Sequence, residues 1–325
     1  MKQISMRDAF FDRLYELAKK DRNIIVVSAD MGAPSLDKFR RDLGGQYLSV
    51  GIAEQSMITV ATGLTLSGKK VFTYAIMPFA TLRCYEISRV DLSMMNLPVT
   101  IVGVGAGFSY DDSGPTHHST EDISVMRALP NMTILNASDS TMSAAFADIA
   151  CQTPGPSYVR LDREVQPVVY QPDTDFSAGL IQHRAGRDLT IVATGNMLHQ
   201  ALEIARKLGE NSVDAGVLDL FRLKPINRDL LLEYTGRSKR LVTIEEHFLD
   251  GGMGSAVAEV MADHGQVKLF KRFGIRDKYY YTYGGRANIQ VTCGLDVKTI
   301  SQAILEWLGL ANNLLSGVGE IRVRS

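Results

Sequence analysis

The chain has 325 residues, 45% of them hydrophobic, with 35 basic against 36 acidic side chains and a formal net charge of −1. That length supports about two domains with large buried cores, and the charge balance gives no support for a nucleic-acid or membrane-surface partner. No stretch approaches the ~20 apolar residues of a membrane span, the N-terminus lacks the apolar run of a signal peptide, and Cys84, Cys151 and Cys293 are far apart, which fits a reducing, cytoplasmic compartment.

In chain order, short β-branched runs recur at 23–30, 69–76, 98–105, 132–138 and 156–162, with a shorter one over 47–52. Their apolar residues do not alternate, so they read as strands buried on both faces, and helical patterns at about 6–20, 53–67, 79–95 and 139–152 separate them. This predicts a mainly parallel α/β sheet. The stretch 165–188 breaks the rhythm with two prolines and polar residues. A second α/β series follows, with strands over 188–195, 214–220, 240–246 and 267–275 and helices from 197, after Gly254 and from 296. The expectation is two consecutive doubly wound α/β domains, 1–170 and 188–310, joined by a linker over 171–187, with an unassigned tail over 311–325.

Several motifs could carry chemistry. Glu54 in VGIAEQ falls at a strand-to-helix turn, where it either complements the helix N-terminus or is a carboxyl among apolar walls that shares a proton with a bound heterocycle. GVGAG (103–107) follows a strand but lacks the Lys-Ser/Thr of a phosphate loop, so its backbone is expected to pass close to something. DGGMG (250–254) opens a helix but misses the third glycine of a dinucleotide fingerprint. In SGPTHHSTED, a turn at Gly114-Pro115 can aim both His117 and His118 at a pocket, or leave them exposed or structural, ahead of a helix capped by Ser119 or Thr120. No third ligand at conventional spacing supports a metal there. The helix after Phe79 carries Arg83 one turn later, read alone as a core aromatic and an exposed cation.

Taken in order, VGIAEQ, the aromatic-initiated helix, LPV, GPTH, RALPNMTILNASD, GPSYVRLDR and EEHFLDGGMGSAVAE resemble the pyrimidine-binding and C-terminal domains of the transketolase family of thiamine diphosphate enzymes. The likeness covers nearly the whole chain, the tail excepted. It implies that Glu54 hydrogen-bonds a ring nitrogen of the aminopyrimidine, where a held proton favours the imino tautomer that deprotonates the thiazolium carbon. It further implies that Phe79 stacks on the pyrimidine, with Asp30 and Arg83 as further cofactor-side residues. His117 would polarise or bind the sugar's oxygen functions, with His118 beside it, while Arg163, Arg7 and Ser35 would grip a sugar phosphate unless the arginines are merely surface ion pairs. Two departures stand out: Ser113 replaces an aspartate before GPTH, and Gly105 replaces a histidine twelve positions before His117. These put the substrate preference in doubt and suggest an unusual or modified sugar.

The resemblance also implies a partner. The family anchors the diphosphate through magnesium or another divalent ion bound by a G-D-G segment, and no G-D-G occurs in this sequence. The expectation is a separate N-terminal, diphosphate-binding chain of roughly 250–300 residues, with this chain forming the homodimeric core of an α2β2 assembly. The function implied is transfer of a two-carbon ketol unit between small-molecule sugars or sugar phosphates. The alternatives are a beta subunit of a 2-oxo-acid dehydrogenase and a non-catalytic regulatory subunit with the same fold.

Overall fold

The β-branched runs become strands buried on both faces, as in Ile24–Ser28, where all five residues are buried. The computed structural model describes residues 4–29 and 32–310; Asp30 and the 311–325 tail lie outside the described residues. The first part comprises α1 (Met6–Ala18), β1 (Ile24–Ser28), α2 (Pro34–Asp42), β2 (Tyr47–Ser49), α3 (Glu54–Leu66), β3 (Lys70–Ile76), α4 (Met77–Ala80), α5 (Tyr85–Ile87), β4 (Val99–Val104), α6 (Asp122–Ala128), β5 (Thr133–Asn136), α7 (Ser140–Gln152) and β6 (Ser157–Leu161). The second comprises β7 (Leu180–Arg184), β8 (Leu189–Ala193), α8 (Met197–Glu210), β9 (Ala215–Leu220), β10 (Arg222–Lys224), α9 (Arg228–Gly236), β11 (Arg240–Phe248), α10 (Met253–Asp263), β12 (Leu269–Ile275), α11 (Arg286–Cys293) and α12 (Val297–Trp307).

Two sheets result. The first has the order β10-β5-β6-β4-β3-β1-β2 and is parallel except at β10; the second, β12-β11-β8-β9-β7, is parallel except at β7. The fold class is therefore the expected pair of mainly parallel α/β units. None of the described helices is long and apolar enough to cross a membrane.

Three local readings need correction. The stretch 171–187, expected to be a linker, contains β7, which pairs antiparallel with β9. Past Leu180 none of its residues is fully buried and Gln182, His183 and Arg184 are polar, as an edge strand tolerates, so the buried-strand signal is missing. The helix expected over 79–95 is broken. Pro78 sits in the first turn of α4, the Thr81 hydroxyl donates back to the Met77 carbonyl at 2.7 Å, and a π-helical turn follows over Ser88–Met94. Finally, α6 starts at Asp122 after Glu121, not on a Ser119 or Thr120 cap, because Ser119 pairs its backbone with Gly107.

The two parts are locked together. β10 leaves the second unit to pair with β5, and Phe221 just before it packs against Phe146 and Phe176. At the other side Arg286, at the start of α11, reaches Glu246 of β11 at 2.6 Å, Asp162 beyond β6 at 2.7 Å and the Ala106 carbonyl at 3.2 Å. The Glu246 carboxylate also accepts from the Phe108 amide at 3.0 Å. That explains the Gly-rich 103–107 loop: a Cβ on Gly107 would lie 2.0 Å from Glu246 Oε2, and its φ is +56°. The other Gly-rich stretch holds a carboxyl group of the chain's own. Glu245 accepts from the Met253 and Gly254 amides at 2.6 and 2.8 Å, filling the N-terminus of α10, and its burial pushes the carboxyl up to about 7.

Candidate active site

Side chains from several strand ends of the first sheet converge at its carboxyl edge, where open α/β sheets bind ligands. Glu54 comes from the start of α3 after β2, Phe79 and Arg83 from the segment after β3, His117 from the loop after β4, and Arg163 from beyond β6. Arg7 joins from α1.

Glu54 is 4% exposed although it carries a carboxyl group. Its Oε2 accepts from Arg83 Nη1 at 2.7 Å. The same guanidinium lies over the Phe79 ring, with Cζ 4.4 Å from the centroid. A flat, N–H-bearing cation is thus stacked on Phe79 and hydrogen-bonded to Glu54 at once. Phe79 meets the His117 imidazole edge-on at 5.1 Å, His117 neighbours Tyr110 at 6.1 Å, and Arg163 Cζ lies 4.9 Å from the Tyr110 centroid. Glu54, Arg83, Phe79, His117, Tyr110 and Arg163 therefore form one continuous run.

Other expected residues sit less directly. His118 turns inward, 4% exposed, with its ring 5.1 Å from Phe108, so the turn splits the two histidines instead of aiming both at one pocket. Burial pulls its pKa down, opposed by Glu246 and Asp111. Ser35 is buried and donates to Asp8 Oδ1 at 3.0 Å. Arg7 pairs with the same Asp8 at 3.2 Å. Burial pushes the Asp8 carboxyl up, but hydrogen bonds from Arg7, Ser5 and Ser35 outweigh it and hold it below its ordinary value. Arg7 and Ser35 thus share an internal acid. Ser113 is exposed and donates to Asp112 at 3.1 Å, and Asp112 faces Arg163 at 3.5 Å. An acid is therefore present one residue before the position where the family resemblance expects it.

Sequence reasoning missed Tyr110, Asp112 and Asp8. An aromatic residue in the loop that carries the Gly105 departure was the available signal for Tyr110.

The first half of the chain, residues 2–167, matches the model of the transketolase pyrimidine-binding domain, and residues 178–300 match that of the transketolase C-terminal domain. The chain belongs to the transketolase family. It is 34% identical over 310 residues to one of the subunits of the apulose-4-phosphate transketolase of Phocaeicola vulgatus, covering 94% of this chain and 98% of that one. It is 36% identical over 275 residues to the 6-deoxy-6-sulfo-D-fructose transketolase subunit SqwH of a Clostridium species, covering 84% and 85%. A solved split-gene transketolase, described as an inactive beta4 tetramer, superposes with a TM-score of 0.85 at 33% identity over 95% of this chain and all of that one. The transketolase likeness thus places this chain with the beta-type chains of split transketolases. It does not favour a dehydrogenase or a non-catalytic role.

The transketolase family implies thiamine diphosphate. A buried carboxylate and an aromatic face that together hold a flat, N–H-bearing cation have the chemistry an aminopyrimidine ring needs. Among the described residues there is no group of three or more His, Cys, Asp or Glu side chains able to hold a metal ion.

Proposed function

We propose that this chain is the pyrimidine-binding subunit of a cytoplasmic two-chain transketolase that moves a two-carbon ketol unit between sugars carrying an anionic far end. The observation that carries the reading is the Arg83 guanidinium seated simultaneously on Phe79 and Glu54. Arg83 itself would move aside from the ring and remain at the cofactor's margin, with Asp30 as a further cofactor-side residue. The partner chain would hold the diphosphate through magnesium, and two copies of each chain would give an α2β2 assembly around a homodimer of this one.

When bound, thiamine diphosphate supplies the nucleophilic carbon that accepts and hands on the two-carbon unit. Glu54 would hold a proton at the pyrimidine ring nitrogen, and its near-complete burial keeps water from competing for that carboxylate. Phe79 would fix the ring plane. His117, edge-on to Phe79, would hydrogen-bond the sugar's oxygens, and Arg163 and Arg7 would meet the terminal anion, with Ser35, Ser113 and His118 supporting that end. The relatives' names support an anionic tail, one being a phosphate and the other a sulfo sugar.

The test is ketol transfer by this chain mixed with its complementary diphosphate-binding chain, thiamine diphosphate and magnesium, over a panel of free, phosphorylated and sulfonated ketoses. Transfer in the mixture and not in either chain alone is expected. A mixture that decarboxylates 2-oxo acids and leaves every ketose untouched would overturn the reading.

A further inference from the structure

Gly105 has φ +104°, a conformation that side-chain-bearing residues rarely adopt. A Cβ built on it would lie 2.3 Å from Tyr110 Cε2 and 2.4 Å from Cδ2, far inside contact distance. No side chain can stand at 105 while the Tyr110 ring is where it is. The space is not left open by the glycine; it is filled by an aromatic ring five positions along the same loop.

That ring occupies a strategic place. It neighbours His117, 6.1 Å between ring centroids, which itself meets Phe79, and it also neighbours Arg163, whose Cζ is 4.9 Å from the Tyr110 centroid. Tyr110 therefore separates the residues placed for the sugar's carbonyl end from the cation placed for its anionic end. Burial raises its phenol above the ordinary value, with Arg163 and Arg7 opposing, so it stays protonated and uncharged at neutral pH.

We propose that Tyr110 is a specificity-determining residue of the ketol-transfer site, its ring forming a wall between His117 and Arg163 that selects substrates by the length of the segment joining carbonyl and anion. The inference rests on the ketol-transfer reading above. A rigid aromatic wall takes up the space that extra carbons would fill between His117 and Arg163, so ketoses that reach their anion in fewer carbons are the better substrates. Removing the ring opens space for one more carbon, and one methylene in a fitted pocket is worth on the order of tenfold.

The experiment measures kcat and KM with the reconstituted two-chain enzyme for ketose phosphates from pentuloses to heptuloses. Tyr110→Ala should raise kcat/KM for the longer ketoses relative to the shorter by about tenfold or more, mainly through KM, while Tyr110→Phe keeps the wild-type ratio. Tyr110→Leu, which leaves less of a void, should shift the ratio in the same direction by a smaller factor and serves if the alanine variant does not fold. An active wild type whose length ratio is unchanged in Tyr110→Ala and Tyr110→Leu overturns the wall and leaves the ketol-transfer reading standing. A shift in Tyr110→Phe equal to that in Tyr110→Ala also overturns it, because the hydroxyl and not the ring would then select. A wild type that transfers from no ketose sinks the underlying reading, and this inference with it.

Discussion

Two arginine–carboxylate assemblies in this chain use the same chemistry to opposite ends. Arg286 is 7% exposed and spends its donors on Glu246, Asp162, Glu164 and a backbone carbonyl. Its carboxylates are satisfied in turn, Glu246 by Gln290 and the Phe108 amide, Asp162 by Ser109. Arg83 is half open, its side chain 46% exposed, and holds Glu54 through one short contact while its flat face rests on Phe79. The first is a closed network spanning both domains, where any loss strands a buried charge. The second is a contact that a ligand can replace at small cost, because the cation it displaces returns to water.

The comparison is broken most severely at the closed end. Arg286→Met leaves Glu246 and Asp162 buried without their counter-charge, and the expected loss is about 3–5 kcal/mol in chemical unfolding. Adding Glu246→Leu should recover part of it. A loss below about 1 kcal/mol would show that the joint is not closed as described.

At the open end, Glu54→Gln should leave the melting temperature near wild type while turnover of the reconstituted enzyme falls by on the order of 10²-fold or more, the scale of a positioned proton-transfer group. Full turnover in this variant would remove Glu54 from the chemistry. A smaller effect is expected at its partner: Arg83→Leu should tighten thiamine diphosphate binding to the two-chain complex by about two- to fivefold, the worth of a half-exposed ion pair that no longer has to be broken. Weaker binding in calorimetry would make Arg83 a ligand of the cofactor and not its stand-in.

The smallest effect separates the regions by pH. His247 is buried beside the joint, its Nε2 accepting from the Ile123 amide at 3.1 Å and its Nδ1 facing the Phe248 carbonyl at 2.8 Å. Burial is the main cause that pulls its pKa down to about 4, with Asp122 opposing. The unfolded chain takes up this proton near 6.5 and the folded chain only near 4, so the contribution is fully present above about 6.5 and is lost as pH falls from there to about 4. Buried Asp219, raised to about 7, has the opposite slope, gaining stability as pH falls from about 7. The wild-type profile is therefore mixed, and the difference between wild type and His247→Asn isolates the histidine. That difference should shrink on acidification between about pH 6.5 and 4; a constant difference would remove the assigned protonation.

What the sequence revealed follows from how local the physics is. Strands such as β1, β4 and β6 were legible because burial on both faces demands unbroken β-branched runs. β7 was hidden because an edge strand needs no such run. Glu54 was legible from a charge placed between apolar segments, and Phe79 from its place at the head of a helical pattern, although the helix itself begins at Met77. Tyr110 was not, since its contact with Gly105 depends on a positive φ that fixes how the loop doubles back. The Arg286 joint was illegible for another reason: 286, 246 and 162 meet only after two domains dock.

The claim that this chain supplies half of a cofactor site is tested most directly by calorimetric titration of thiamine diphosphate with magnesium into the purified chain, alone and mixed with its complementary diphosphate-binding chain. Weak or no binding to the chain alone, with tight binding in the mixture that Glu54→Ala weakens, is the expected result. Tight cofactor binding accompanied by ketol transfer in the chain alone would contradict it.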